Sequence, residues 1–209
     1  MIKLTKLLEA KNLFKGKKST DLTFKGYNDL LLYLKKECSE ILNLYKSSND
    51  KFLLRGISSS KNYDIVKYRI RPDRKPSFMD EKTHNIVNNV ITDLGGVAHR
   101  GNSIFCTTLD GVASTWGKNY IVFPINGFNV TYFSKFDGPY MYNKLITSDA
   151  NAIKNMFLKY DISFDKNSMF SSENVNTEYL IQCDYYYGIS QYRYEGSIVK
   201  NLLNDIENI

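Results

Sequence analysis

The order of its periodicities constrains this chain most: helix-period segments come early and strand-period segments cluster late. Leu30, Leu31, Leu34, Cys38, Ile41, Leu42 and Tyr45 recur at helical spacing, with Lys35, Lys36, Glu37, Glu40 and Lys46 between them. That spacing predicts one amphipathic helix ending at Ser47-Ser48-Asn49-Asp50. A second helix is predicted from Asp80 or Thr83, either of which suits a cap. Its apolar face is Ile86, Val87, Val90, Ile91 and Leu94, and Gly95-Gly96 closes it. A short helix from Asp110 carries Ala113 and Trp116, another spans Ser148–Lys159, and a closing helix holds Ile198, Leu202, Leu203 and Ile206. Strands are predicted at Lys51–Ile57, Ser103–Thr108, Tyr120–Ile125, Asn129–Phe133 and Glu178–Tyr187. Residues 58–80 are polar, contain Pro72 and Pro76, and read as a long loop or arm. The order predicts an α+β fold, since βαβ units would interleave the two periods along the whole chain.

A length of 209 residues predicts a single domain with one sizeable core. It divides into a helical N-terminal part at 1–48, a core at 51–190 and a C-terminal helix at 196–209. Hydrophobic residues at 43% and charged residues at 24% exclude disorder over most of the length. The net charge of +6 points to anionic partners, but is too mild to identify a nucleic-acid binder. Cys38, Cys106 and Cys183 stand far apart, which argues against a disulfide framework or zinc knuckle and suits a reducing compartment. With only His84 and His99, no metal site is expected. The first residues lack the apolar run of a signal peptide, and no membrane-spanning stretch is present. The expectation is a cytoplasmic protein that does not engage a membrane, and a monomer rather than an obligate oligomer.

Three stretches carry polar residues where a strand has few to spare. In Phe52-Leu-Leu-Arg55-Gly56, the arginine either clamps a phosphate through its planar fork or pairs with a surface carboxylate. Gly56 permits a turn or a close approach by a ligand. In Asn102-Ser103-Ile-Phe105-Cys-Thr107-Thr108, the hydroxyls either orient a carboxylate or a ribose, or reflect the ordinary preference of Thr for strands. Glu178 opens a strand that otherwise reads as buried; it either faces solvent or stabilises positive charge at a sugar's anomeric carbon. Lys67-Tyr-Arg-Ile-Arg71-Pro-Asp-Arg74-Lys75 is the strongest basic cluster, either a solvated loop or a recruiter of anions. His84 and His99 receive no role, and Cys106 and Cys183 read as buried hydrophobes.

In this order, the arginine at the end of an early strand, the Phe-x-Thr-Thr strand before a short helix, and the glutamate opening a late strand resemble the mono-ADP-ribosyltransferases of the arginine–serine–glutamate type. Arg100-Gly-Asn-Ser103-Ile-Phe105-Cys-Thr-Thr108, followed by Ala113, Trp116-Gly117 and Tyr120-Ile-Val-Phe-Pro124, is similar to phage-encoded members. Arg71-Pro-Asp-Arg74-Lys-Pro76 resembles their loop after the first strand. The resemblance spans roughly residues 52–190. It implies two small packed β-sheets forming a NAD-binding cleft, flanked by helices, and transfer of ADP-ribose from NAD to a host protein or nucleic acid in the host cytoplasm.

By the same resemblance, Glu178, Thr107 and Arg55 are the catalytic set. Arg55, Gly56, Ser103, Thr107 and Thr108 would hold NAD, with Trp116 or Tyr120 stacking on nicotinamide. Arg71, Arg74 and Asn176 would meet the acceptor. Two positions depart from the family pattern. Thr107-Thr108-Leu109 stands for Ser-Thr-Ser, and Asn176 occupies the place of a Glu or Gln two residues before the catalytic glutamate, which leaves the acceptor open. The alternatives are a NAD glycohydrolase and a non-enzymatic, basic, Tyr-rich module that binds nucleic acid or protein and inhibits a host factor or defence.

Overall fold

The computed structural model describes residues 27–58, 65–76, 79–134, 149–171, 177–191 and 203–205. The chain forms two compact units: residues 1–69, 110–127 and 184–209 make the first, and residues 70–109 and 128–183 the second. The class is mixed α and β, as expected, and the strand pairs run antiparallel.

The first unit opens with α1 (Tyr27–Glu37) and α2 (Ser39–Lys46). A single helix was predicted here, and the apolar period is indeed continuous, but the backbone breaks at Cys38. The reason is Asn126, 86 to 90 residues further along. Its Nδ2 donates to the Lys36 carbonyl at 3.1 Å and its backbone N–H to the Glu37 carbonyl at 2.6 Å. Its Oδ1 accepts from the Glu40 N–H at 3.0 Å and from Ser39 Oγ at 3.1 Å. One asparagine thus satisfies the orphan groups that a helix end on one side, and a helix start on the other, leave open. Leu30, Leu31, Leu34, Cys38, Ile41, Leu42 and Tyr45 are all buried, as the period required. The Tyr45 hydroxyl donates to the Val122 carbonyl, and its ring meets Phe123 edge-on at 5.6 Å.

The strands of this unit are β1 (Leu54–Ile57), β2 (Ile65–Arg69), β4 (Lys118–Pro124) and β8 (Tyr185–Ser190), in the order β2-β8-β4-β1. The strand β2 corrects the expectation of an irregular stretch over residues 58–80. Ile65 and Val66 are buried, and the segment pairs with β8 from Ile65↔Ile189 to Arg69↔Tyr185. Ile65, Val66 and Tyr68 suit a strand, but the run is five residues long, carries Lys67 and Arg69, and has its partner more than a hundred residues away. Between β3 (Ile104–Thr107) and β4 lies α4 (Asp110–Ser114), which ends before Trp116, so the tryptophan follows the helix.

In the second unit, β3, β5 (Asn129–Phe133), β6 (Ile162–Ser163) and β7 (Glu178–Gln182) run in the order β3-β7-β5-β6. Helix α3 (Glu81–Asp93) starts on Asp80, whose carboxylate accepts from the Thr83 N–H at 2.8 Å and from Thr83 Oγ1 at 2.6 Å. Those bonds, the hydroxyl's first, hold the Asp80 carboxyl below its ordinary value. Asp80 is therefore the cap and Thr83 its partner. Helix α5 (Ala150–Lys159) is capped likewise by Asp149. Val87, Val90 and Ile91 meet Ile153, Phe157, Phe133 and Leu180 in one core, each fully buried aliphatic side chain contributing about 1.5–3 kcal/mol.

The predicted strand Glu178–Tyr187 is two strands. Bends at Cys183 and Asp184 divide it, and the pieces pair differently: β7 with β3 and β5, β8 with β2 and β4. Of Tyr179, Tyr185, Tyr186 and Tyr187, only Tyr179 is on the strand that Glu178 opens. The predicted closing helix lies outside the described residues except for 203–205, which are helical. Among the described residues no helix is long and apolar enough to cross a membrane.

Candidate functional site

Strand pairing alone sets the centre of the site. In the register of β3 and β7, Thr107 stands opposite Glu178 and Phe105 opposite Leu180. Side chains alternate along a strand, so these four share one face. Leu180 belongs to the core under α3, and Phe105 packs at its margin. One step further along, the face changes from apolar to charged.

Glu178 is held there by Arg100, whose Nη1 lies 3.4 Å from Glu178 Oε1; the two side chains are 21% and 17% exposed. Thr107 is buried, and its Oγ1 accepts from the Leu109 N–H at 3.2 Å. The hydroxyl that the resemblance assigns to orienting Glu178 is thus fixed by its own turn, and the contact to the carboxylate comes from Arg100. Sequence reasoning missed Arg100 as a site residue. It lies 78 residues from Glu178, and only its place before the Asn102-Ser103 strand pointed to it.

Arg74 joins the same group. Its backbone N–H donates to the Gly101 carbonyl at 2.7 Å, its Nη1 to the Ser103 carbonyl at 3.3 Å, and its guanidinium sits 4.3 Å from the Phe105 ring centroid. Arg100 lies 4.6 Å from the same centroid. Ser103 is buried, and its hydroxyl donates to Asn102 Oδ1 at 3.0 Å. Thr108, next to Thr107, is half-buried, and Arg71 is exposed. His84, on α3, is buried, and its Nδ1 has no hydrogen-bond partner. Burial first, then the charges of Arg100, His99 and Arg74, lower its pKa below the ordinary histidine value. Asn176 lies outside the described residues.

The remaining candidates lie in the first unit. Arg55 is half-buried on β1, opposite Tyr120 of β4. Gly56 is opposite Asn119, and the space a side chain would take is filled: a Cβ there would lie 2.0 Å from the Ala113 carbonyl oxygen and 2.9 Å from Trp116 Cβ. The close approach that only glycine permits is made by α4 and its following turn. Gly117 repeats the device at φ +132, with the Ile57 carbonyl 2.6 Å from an added Cβ. Trp116 is 41% exposed, whereas Tyr120 is buried. Of the basic stretch, Lys67 is tied into β2 and β8, its ammonium 3.5 Å from the Tyr185 ring centroid. Cys38, Cys106 and Cys183 are buried thiols, none of them in a disulfide.

Thr107, Glu178, Ser103, Thr108, Arg71 and Arg74 therefore belong to one unit, and Arg55, Gly56, Trp116 and Tyr120 to the other. Comparison with known proteins found no matching family model, no matching curated protein and no matching solved structure.

Proposed function

We propose that the chain is a mono-ADP-ribosyltransferase that uses NAD as donor and a host protein or nucleic acid as acceptor. The observation that carries the reading is the register of Thr107 with Glu178 at the charged end of a buried strand pair, the pairing of hydroxyl and carboxylate that the resemblance implies. The packed-sheet NAD cleft is part of this proposal.

The nicotinamide leaving group of NAD is already cationic, so no proton need be supplied. The glycosidic C–N bond breaks with its electron pair going to nicotinamide. The acceptor's nucleophile then bonds to the anomeric carbon and loses its proton. Catalysis lies in orienting the ribose and stabilising its oxocarbenium character. In this reading Glu178 does so as a carboxylate bound to the ribose 2′-hydroxyl, and Arg55 holds the diphosphate.

Incubation with NAD labelled in its adenylate portion and a host lysate tests the reading. Label is expected on a macromolecule, and Glu178→Gln is expected to reduce transfer by about a hundredfold or more with an unchanged circular dichroism spectrum. Release of nicotinamide without a labelled macromolecule would make the chain a glycohydrolase. No turnover of NAD overturns the proposal.

A further inference from the structure

We propose that the turn at residues 99–102 is a proton-operated clasp. Neutral His99 holds it closed, and protonation of His99 opens it and loosens Arg100, which the turn carries to Glu178. The inference lies within the second unit and stands without the transferase reading.

The turn is closed from inside by its own polar groups. The His99 backbone N–H donates to Asn102 Oδ1 at 2.9 Å, the Asn102 N–H to the His99 carbonyl at 3.2 Å, and Asn102 Nδ2 to the Val97 carbonyl at 3.0 Å. The Gly101 N–H divides between His99 Nδ1 at 3.2 Å and Asn88 Oδ1 of α3 at 3.3 Å. A backbone N–H can only donate, so Nδ1 is the unprotonated nitrogen and the neutral ring carries its hydrogen on Nε2. An imidazolium carries hydrogen on both nitrogens, and its Nδ1–H would confront the Gly101 N–H. A Cβ added at Gly101 would lie 3.3 Å from both Nδ1 and Cε1, so the ring lies directly against this backbone. The added proton is accommodated only when the ring leaves Gly101.

The clasp also holds a second segment, because the Gly101 carbonyl accepts from the Arg74 N–H at 2.7 Å. The charged and titratable groups around the turn are Arg100 with its partner Glu178, Arg74, and His84 of α3, whose helix begins with Asp80, Glu81 and Lys82. Arg100, His99 and Arg74 each disfavour charge on His84, which is 5% exposed. His99 is half-buried and is the more accessible of the two rings. Burial holds its pKa below the ordinary histidine value. The closed turn therefore binds fewer protons than the open one, and opening is favoured as pH falls below about 6.5. Arg100 lies between the two residues that form the clasp, so a turn that opens takes its guanidinium along and eases its hold on the Glu178 carboxylate.

Amide hydrogen exchange of the full chain, followed by NMR, tests the clasp, each rate being divided by that of an unstructured peptide at the same pH. Protection of the Gly101 amide is expected to fall about threefold to tenfold from about pH 7.5 to 5.5, as one histidine that titrates near 6.5 only in the open turn dictates. The Val90 amide of α3 is expected to stay at least about tenfold better protected at both pH values, since the opening is local. His99→Asn places an acceptor that does not titrate beside Gly101, and is expected to limit the fall to less than about twofold. His99→Ala removes the clasp. It is expected to raise the rate at which phenylglyoxal modifies Arg100 about threefold or more at constant pH, whereas His99→Asn leaves that rate within about twofold of the parent's. Gly101 protection that does not vary with pH, a His99→Asn variant that keeps the parent's fall, or Gly101 exchange as slow as that of Val90 overturns the proposal. So does Arg100 reacting no faster in His99→Ala. If His99→Ala fails to fold, the exchange profiles of the parent and of His99→Asn decide.

Discussion

The surroundings of Gly56 and of Glu178 differ in kind, although both residues carry the same resemblance. At Gly56 the protein fills every space that a ligand would need on the side where a Cβ would point, with the Ala113 carbonyl and the start of the Trp116 side chain. The Glu37 carboxylate of that unit is likewise taken up by the protein's own groups. Tyr185 and Tyr187 both donate to Glu37 Oε2, at 2.8 and 2.7 Å. Burial first, and then these bonds to an acceptor, raise both phenols, Tyr185 to about 12. At Glu178 the paired side chains are only partly buried, and Arg100 Nη1 lies 3.4 Å from the carboxylate. The first unit's polar residues answer to packing, so their loss should cost stability. The Arg100–Glu178 pair is partly exposed, so its loss should cost less by that measure.

The largest expected effect tests the packed side of that contrast. Gly56→Ala should cost about 3 kcal/mol, at the upper end of ordinary overpacking, because the obstructing atom is a backbone carbonyl that cannot rotate away. Urea denaturation measures it, and a loss below about 1 kcal/mol would show that α4 yields easily. Tyr187→Phe should cost about 2 kcal/mol, the range for a buried hydrogen bond to a charged acceptor, in the same assay.

Glu178→Gln should change stability by less than about 1 kcal/mol, since an ion pair between partly exposed side chains contributes little. A large loss would make Glu178 a structural residue and erase the contrast. The smallest effect concerns pH. Folding lowers the pKa of His84 and His99, mainly through burial, so the unfolded chain binds more protons as acidity rises. Their contribution is intact above the unfolded value of about 6.5 and is lost as pH falls through the folded values. His84→Gln should flatten the decline in melting temperature between about pH 7 and 5.5; an unchanged slope would remove His84 from that account.

How much of this was legible varies with the range of the forces involved. Asp80 caps its helix within three residues, which is why it stood among the two candidates, while Asp149 does the same one residue inside the predicted start. Strand β5 needed only its own alternation and begins and ends where predicted. Glu178 was singled out because a charge at the head of an apolar run is locally conspicuous. Its partner Arg100 was not, for only its place before the Asn102-Ser103 strand pointed to it. The same holds for β2, a strand because β8 accepts it, and for Phe105, whose two arginines come from different loops.

The sequence by itself determined the mixed class, the buried faces of the helices and most of the residues singled out for chemical attention. Each of these follows from side-chain size, polarity and hydrogen bonding within a few residues. Only the tertiary structure decided where continuous periods break. Asn126 divides one amphipathic run into α1 and α2, and competing strand partners divide another into β7 and β8. It also decided which charges meet. Periodicity is a local average, whereas a hydrogen bond or ion pair across 78 residues exists only once the backbone has brought its ends together.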